Sequence, residues 1–282
     1  MVKTLKRLYL GLVLLFLYAP IVVLMVYSFN ASETRAVWGG FSLKWYQALF
    51  MDSDILEALY VTVSVAALAT LASTVMGTVA AIGIHSMKSW TRSLYMSITN
   101  LPMLMPDIVT GISLMILFIF VKLPRGYGTM LLAHITFDIP YVIFSVLPRL
   151  RRMNPNTYEA ALDLGAKPFT ALRKVLLPEI MPGVITGALL AFTMSLDDFV
   201  ISYFTSVRTS NLSMLIYSMT RRKVPPTINA LSTLMFVVVL SLLLFINLRG
   251  TSRKKKSLHS LRSGFQGREY PADTMIKEVP RS

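Results

Sequence analysis

Cysteine is absent from this chain, which excludes disulfides, thiolate chemistry and any cysteine-ligated metal. Histidine is scarce: His85, His134 and His259 stand far apart and no H-E-x-x-H occurs, so no metal site is expected. There is no G-x-x-x-x-G-K-[ST] loop to cradle a nucleotide phosphate, and no serine lies in a G-x-S-x-G setting. Charge is thin as well: Asp, Glu, Lys and Arg make up 15% of the residues, against about 25% in an average soluble domain. Catalysis therefore has no evident home here, and the chain is read as neither an enzyme nor a holder of its own cofactor.

What the sequence does have is apolar length. Hydrophobic residues make up 54% of its 282 positions and the mean hydropathy is +0.60. They gather in six blocks, roughly 8–29, 57–84, 94–121, 127–148, 176–206 and 226–248, and none has a Lys or Arg in its interior. Each is near or above the ~20 residues that span a bilayer as a helix. The expectation is an all-α integral membrane protein with six transmembrane helices over 1–250, followed by a tail, 251–282. The first block follows Lys3, Lys6 and Arg7 like the start of a signal peptide. It is too long for an ordinary apolar core of such a peptide and has no convincing A-x-A site, so it reads as a retained anchor.

A net charge of +14 would suit a nucleic-acid partner, but the basic residues flank the apolar blocks instead. With the N-terminus inside, 20 of the 28 Lys and Arg fall on inner segments and eight on outer ones. The count is 11 to eight without the tail. Both termini are thus expected in the cytoplasm, against the dissent of the outer cluster Arg221-Arg222-Lys223. Arg253-Lys254-Lys255-Lys256 fits anionic lipid headgroups, and the rest of the tail has a disordered composition. In the first outer loop, Ser42 can cap a short helix that sets Trp45, Tyr46, Leu49 and Phe50 at headgroup level, as an anchor or as a contact for an external partner. Leu212 to Met219 in the second outer loop suits a surface or re-entrant helix.

Between the fourth and fifth blocks lies the one long polar segment, Asn154 to Pro178. Asn154 can cap a helix with Pro155 at its first position, where the missing N–H costs nothing. Gly165 stands where a left-handed C-terminal residue is wanted. A second short helix can start at Pro168 and run toward Pro178. The orientation puts this knob, 150–175, in the cytoplasm.

Four acids lie in the interior of the blocks, Asp107, Asp138, Asp197 and Asp198, with no base to oppose them. An acid at the centre of a membrane helix costs about 2.5–3.5 kcal/mol on insertion scales, so each needs a reason. At ~1.5 Å per residue, Asp107 is ~20 Å from the inner end of its span, Asp138 ~16 Å from the outer end of its own, and Asp197 and Asp198 ~30 Å along theirs. One central-to-outer cavity would accommodate all four, and a cationic cargo or a partner's base would supply the missing charge. Ser195, Asp198, Ser202 and Thr205 share one helical face, which points Asp198 to a lumen. Asp197, turned about 100° away, suits a structural hydrogen bond or a pair with another subunit. His134, Asp138, Tyr141 and Ser145 form a second polar face; there His134 and Asp138, one turn apart, either bond each other or line the path. Pro102, Pro106 and Asp107 predict a kink in the third block.

Glu159-Ala160-Ala161, three residues, Gly165, nine residues, then Val175-x-Leu177-Pro178 resembles the EAA signature of ABC importer permeases, with Val175 in place of the usual Ile. Further stretches resemble the second permease subunit of spermidine/putrescine importers (PotC-type): Tyr27-Ser28-Phe29-Asn30, Phe41 to Tyr46, Met105 to Gly111, Ala133 to Phe137, Ser195 to Asp198 and Ile228 to Leu231. Ser206-Val207-Arg208 and Pro226-Thr227 depart from the Gly-Pro and Pro-Glu usual there. The resemblance implies the type I ABC importer permease fold in a bacterial inner membrane. It also implies a heteromeric complex with a related permease, two ATPase subunits that carry ATP and Mg, and an extracytoplasmic polyamine-binding protein. Glu159, Ala160, Ala161, Gly165 and Pro178 would then couple to the ATPase. A permease for another small organic cation, or a stand-alone cation-coupled carrier using the acids as relays, remains open at this point.

Overall fold

The computed structural model describes residues 2–34, 36–221 and 225–241. Arg222, Lys223, the end of the sixth block and the tail 251–282 lie outside them. The regular structure among the described residues is helical apart from one isolated bridge, and the chain divides into two compact units: 1–46 with 226–282, and 47–225.

In the first unit, helix α1 (Val2–Ser28) is apolar along its length and exposed nearly throughout. The chain then turns back on itself. Asn30 pairs with Phe41 across a bridge, its side-chain oxygen accepts from Ser32 N at 3.1 Å and Gly39 N at 2.8 Å, and its carbonyl accepts from Trp45 Nε1 at 2.6 Å. Phe29 stacks on Phe41 with 5.3 Å between ring centroids and leans on Tyr46 at 5.4 Å. Ser42 accepts from Lys44 N at 3.2 Å and starts α2 (Lys44–Met51), as its position predicts. The last described helix, α12 (Thr227–Ser241), belongs to this unit.

The second unit is built on three long helices: α3 (Ser53–Ser86), α6 (Tyr127–Arg152) and α9 (Leu177–Asp197). Ala81 and Ile84 of α3 meet Val142, Ile143, Val146 and Leu150 of α6 and Ile180 and Ala191 of α9 in one buried cluster. Small residues let the α6 and α9 backbones close on each other. A Cβ at Gly183 would stand 2.8 Å from Ser145 O, and one at Gly187 3.0 Å from Val142 Cα.

Two expected spans are not single straight helices. The block 94–121 is α4 (Ser89–Leu104) and α5 (Asp107–Phe120), bent by 105°. Met105, next to Pro106, is extended at ψ 144°, because the proline ring crowds out a helical predecessor. The block 176–206 breaks at Asp198, whose ψ of 126° ends α9; α10 (Val200–Thr205) follows. Among the described residues, four helices are long and apolar enough to cross a membrane, or five if the bent α4–α5 pair is one span. α11 (Leu212–Thr220) is the short helix expected after the fifth block, with Asn211 accepting from Met214 N at 2.9 Å as its cap.

Candidate functional site

The loop Asn154–Pro178 has the capped geometry its residues predict. Asn154 accepts from Asn156 N at 3.1 Å and opens α7 (Pro155–Asp163), with Pro155 at its first turn. Gly165 takes φ +81°, a left-handed conformation that only glycine adopts without strain. Ala166 N then bonds Ala161 O at 3.1 Å and Gly165 N bonds Leu162 O at 2.9 Å, the paired closure that satisfies the last helical carbonyls. Glu159, Ala160, Gly165 and Pro178 are exposed and Ala161 is half-buried. The large apolar side chains of Leu164 and Phe169 are 89% and 72% exposed.

The second half of the loop differs from expectation. No separate short helix runs from Pro168 to Pro178. α8 (Pro168–Ala171) passes through one π turn, Leu172–Leu176, straight into α9, making a helical run of 30 residues from Pro168 to Asp197. Pro178 is tolerated there because it lies at the start of α9, where the π turn has already altered the hydrogen-bond ladder. Ala171 and Leu176 are buried and fix this segment to the helix bundle.

The four acids do not share one environment. Asp107 is exposed at the first position of α5, where the helix N-terminus favours a negative charge. Asp138 on α6 is 0% exposed, and neither carboxylate oxygen accepts a hydrogen bond from the described residues. Asp197, the last residue of α9, is exposed. The Asp198 side chain is buried and caps α10: it accepts from Ile201 N at 3.1 Å, from Ser202 N at 2.8 Å and from the Ser202 hydroxyl at 2.8 Å. Asp138 is within electrostatic range of Asp198, and Tyr141 of both Asp107 and Asp138.

The polar face expected on a continuous fifth helix is therefore folded around a break. Ser195 and Ser202 both reach His134: Nδ1 stands 2.5 Å from Ser195 Oγ and Nε2 2.9 Å from Ser202 Oγ, with Asp198 Oδ2 3.4 Å away. His134 does not bond Asp138, the alternative its one-turn spacing raised. Asn211, not singled out by any sequence pattern, donates through Nδ2 to Asp198 O at 2.8 Å and to Ser202 Oγ at 2.9 Å. Leu212 N, 150 positions away in sequence, donates to Thr62 Oγ1 of α3 at 2.8 Å. Separations of this size leave no local signal; the sequence showed only the apolar run from Leu212 to Met219 that follows Asn211.

An apolar helical bundle with acids set into it, and an exposed, rigidly capped loop joining two of its long helices, is the architecture of a transport subunit. Residues 73–251 match the family described as the inner membrane component of binding-protein-dependent transport systems. The chain belongs to that family, and its relatives are permease components of transporters rather than enzymes. It is 40% identical over 232 residues to the putrescine transport system permease protein PotI of Escherichia coli K12, covering 79% of this chain and 83% of the relative. It is 37% identical over 245 residues to the spermidine/putrescine transport system permease protein PotC of Haemophilus influenzae, covering 86% of this chain and 95% of that one. The fold is similar to that of a bacterial ABC transporter involved in the import of alginate, with a TM-score of 0.61 at 18% identity over 89% of this chain.

Proposed function

We propose that this chain is one of two permease subunits of an ABC importer that carries polyamines into the cytoplasm. The observation that carries this reading is its 37–40% identity, over most of both chains, to permeases named for putrescine and for spermidine/putrescine. The charge pattern supports it independently, since four acids lie in the interior of the apolar blocks and no Lys or Arg lies there to oppose them. In this reading the chain crosses the membrane six times, with both termini and the loop Asn154–Pro178 in the cytoplasm. A related permease completes the path, two ATPase subunits supply the work, and an extracytoplasmic binding protein delivers the cargo.

The loop is the part that receives force. A helix fixed at one end by Asn154 and at the other by Gly165 is a rigid body that can seat in a cleft of the ATPase and move with it. Ala160 lets a partner backbone approach closely, and Glu159 offers a charge-assisted bond. The exposed Leu164 and Phe169 support a covering partner, because large apolar side chains on a loop gain by leaving water. In the span region, Asp107 and Asp197 are the accessible acids and present charge to an ammonium group. Asp138 is a carboxyl group sealed in the bundle, and Asp198 holds the break next to Asp197.

Uptake of radiolabelled putrescine and spermidine in a strain lacking only this subunit tests the reading. Uptake is lost and returns with the intact gene; uptake that persists in a strain without any ATPase subunit overturns it.

A further inference from the structure

α6 runs into the loop Asn154–Pro178 and α9 continues from it, so these two helices are the first to feel any displacement of the loop. Next to it they are in backbone contact: a Cβ at Gly183 would stand 2.8 Å from both Ser145 O and Arg149 Cγ. Interiors packed this tightly repack in discrete steps and do not deform continuously, so the pair moves as one body. His134 is about 27 Å along α6 from Arg152 at the helical rise. At that level α9 has just ended, and the chain breaks at Asp198 before α10.

The buried ring of His134 bonds both sides of the break. Nδ1 meets Ser195, three residues before Asp198; Nε2 meets Ser202, four residues after it. The hydrogen bonds close without a surplus. The Ser202 hydroxyl donates to Asp198 Oδ2 and accepts one N–H of Asn211, and its remaining lone pair takes the Nε2–H of His134. Nδ1 accepts from the Ser195 hydroxyl. The other Asn211 N–H goes to the Asp198 carbonyl. Each side-chain polar hydrogen of these residues thus has an acceptor with the ring hydrogen on Nε2. A network satisfied this fully in a buried site holds one geometry, because any shift strands a polar group away from water. α10 also meets α6 through Ile201 against Ala133 and Phe137 and through Thr129 Oγ1, which donates to Thr205 O at 2.8 Å; the His134 network is the tie that joins the two sides of the break to each other.

We propose that His134 is a positioning residue for transport. It fastens α10 to the far end of the α6–α9 body, so that a push delivered at the loop reaches the broken end of the fifth span. This rests on the reading of the chain as an ABC permease subunit, and it assigns His134 no contact with cargo.

The absence of native cysteine makes a direct test possible in the assembled importer in proteoliposomes. Thr205 is fully buried, and its hydroxyl bonds only the Ile201 carbonyl of its own helix. A Thr205→Cys reporter therefore reads the packing of α10 with the His134 network intact. With His134 present, the reporter reacts slowly with a small maleimide; with His134→Ala it reacts about tenfold faster or more, the scale of losing one buried hydrogen bond. In the same vesicles polyamine uptake per ATP hydrolysed falls by about tenfold while ATP hydrolysis continues, a split that general misfolding does not produce. Ser202→Ala gives the same two changes, and the double variant loses no more than the larger single one, since both remove one shared network. Unchanged labelling, an unchanged uptake-to-hydrolysis ratio, or additive losses overturn the proposal. Should His134→Ala fail to assemble, Ser202→Ala carries the same measurements, and wild-type values there overturn it. If the complex with native His134 hydrolyses ATP but takes up no polyamine, the cargo reading fails, while the labelling comparison still decides the role of His134.

Discussion

The loop Asn154–Pro178 and the acid-bearing region of the spans are both polar insertions in an apolar chain, yet they are specified in opposite ways. Both caps of the α7 half of the loop are local, though Tyr158 also packs on the bundle. Asn154 caps the residue two positions on, and Gly165 closes carbonyls three and four residues behind it with Ala166. The loop is exposed, so little else constrains it. In the spans, the partners of His134 lie 61 and 68 residues away, and no single helix contains the site. The same residue type, aspartate, takes four roles there: helix-start charge, unpartnered buried acid, exposed helix-end acid and helix cap. The lesson is that charge inside a membrane span marks importance, while the local backbone decides what the charge does.

Changing the loop should have the larger effect, because its rigidity hangs on one residue. Gly165→Val forces a β-branched side chain to φ +81°, at a cost of at least ~1–2 kcal/mol in backbone strain, and it unwinds the closure at Leu162 and Ala161. Uptake falls by more than about tenfold at that cost, and co-purification of the ATPase weakens. Normal transport with a normal ATPase yield would erase the contrast between the two regions.

The next effect separates the acids. Asp197→Asn lowers polyamine uptake with little change in thermal stability, because the residue is exposed and caps nothing described here. Asp198→Ala does the reverse in the first instance. It strips the N–H groups of Ile201 and Ser202 of their acceptor and lowers stability by about 2 kcal/mol, read as a drop in the melting temperature of the purified complex. Asp198→Asn keeps one acceptor oxygen and recovers part of that stability. Equal melting temperatures for the Asp197 and Asp198 variants would mean that the cap is idle.

Asp138→Asn is a smaller and more diagnostic change. The amide is close in shape, and no hydrogen bond from a described residue is lost. Assembly is expected to be unaffected, and any fall in uptake over a polyamine concentration series then reports the loss of the ionisable carboxyl group. Unchanged uptake at all concentrations removes Asp138 from the pathway. Smallest of all is Asn154→Ala, which deletes a single exposed N-cap worth about 1 kcal/mol. It should soften α7 and reduce uptake only slightly; a loss as large as that of Gly165→Val would place the critical end of the loop at its start.

Much of the fold was legible from residue pattern. Four of the six apolar blocks hold a helix long enough to cross a membrane, because a 20-residue apolar run has no other stable form in a bilayer. The start of α2 at Ser42, the cap of α7 at Asn154 and the left-handed Gly165 were read correctly because each depends on contacts within a few residues. The kink near Pro106 was foreseen, but not its size, since a proline removes the helix without saying where the chain goes next. The break in the fifth span was missed for a plainer reason. Ser195, Asp198, Ser202 and Thr205 fit helical spacing, and nothing local reveals that Asp198 would serve its own backbone. The continuous run from Pro168 into α9 was missed because Pro178 looked like a stop, whereas the π turn before it relieves the missing bond.

By itself the sequence determined that this is a helical membrane protein without cysteine chemistry, that its loop would be capped at Asn154 and Gly165, and that its spans carry acids without bases. Those properties follow from composition and from interactions a few residues long. Tertiary structure alone decided that His134 holds Ser195 and Ser202 on two sides of a broken helix, that Asp198 caps while Asp197 is presented, and that Asp138 is sealed in the bundle. A side chain's partner in a packed interior is set by which helices meet, and that is a property of the whole chain.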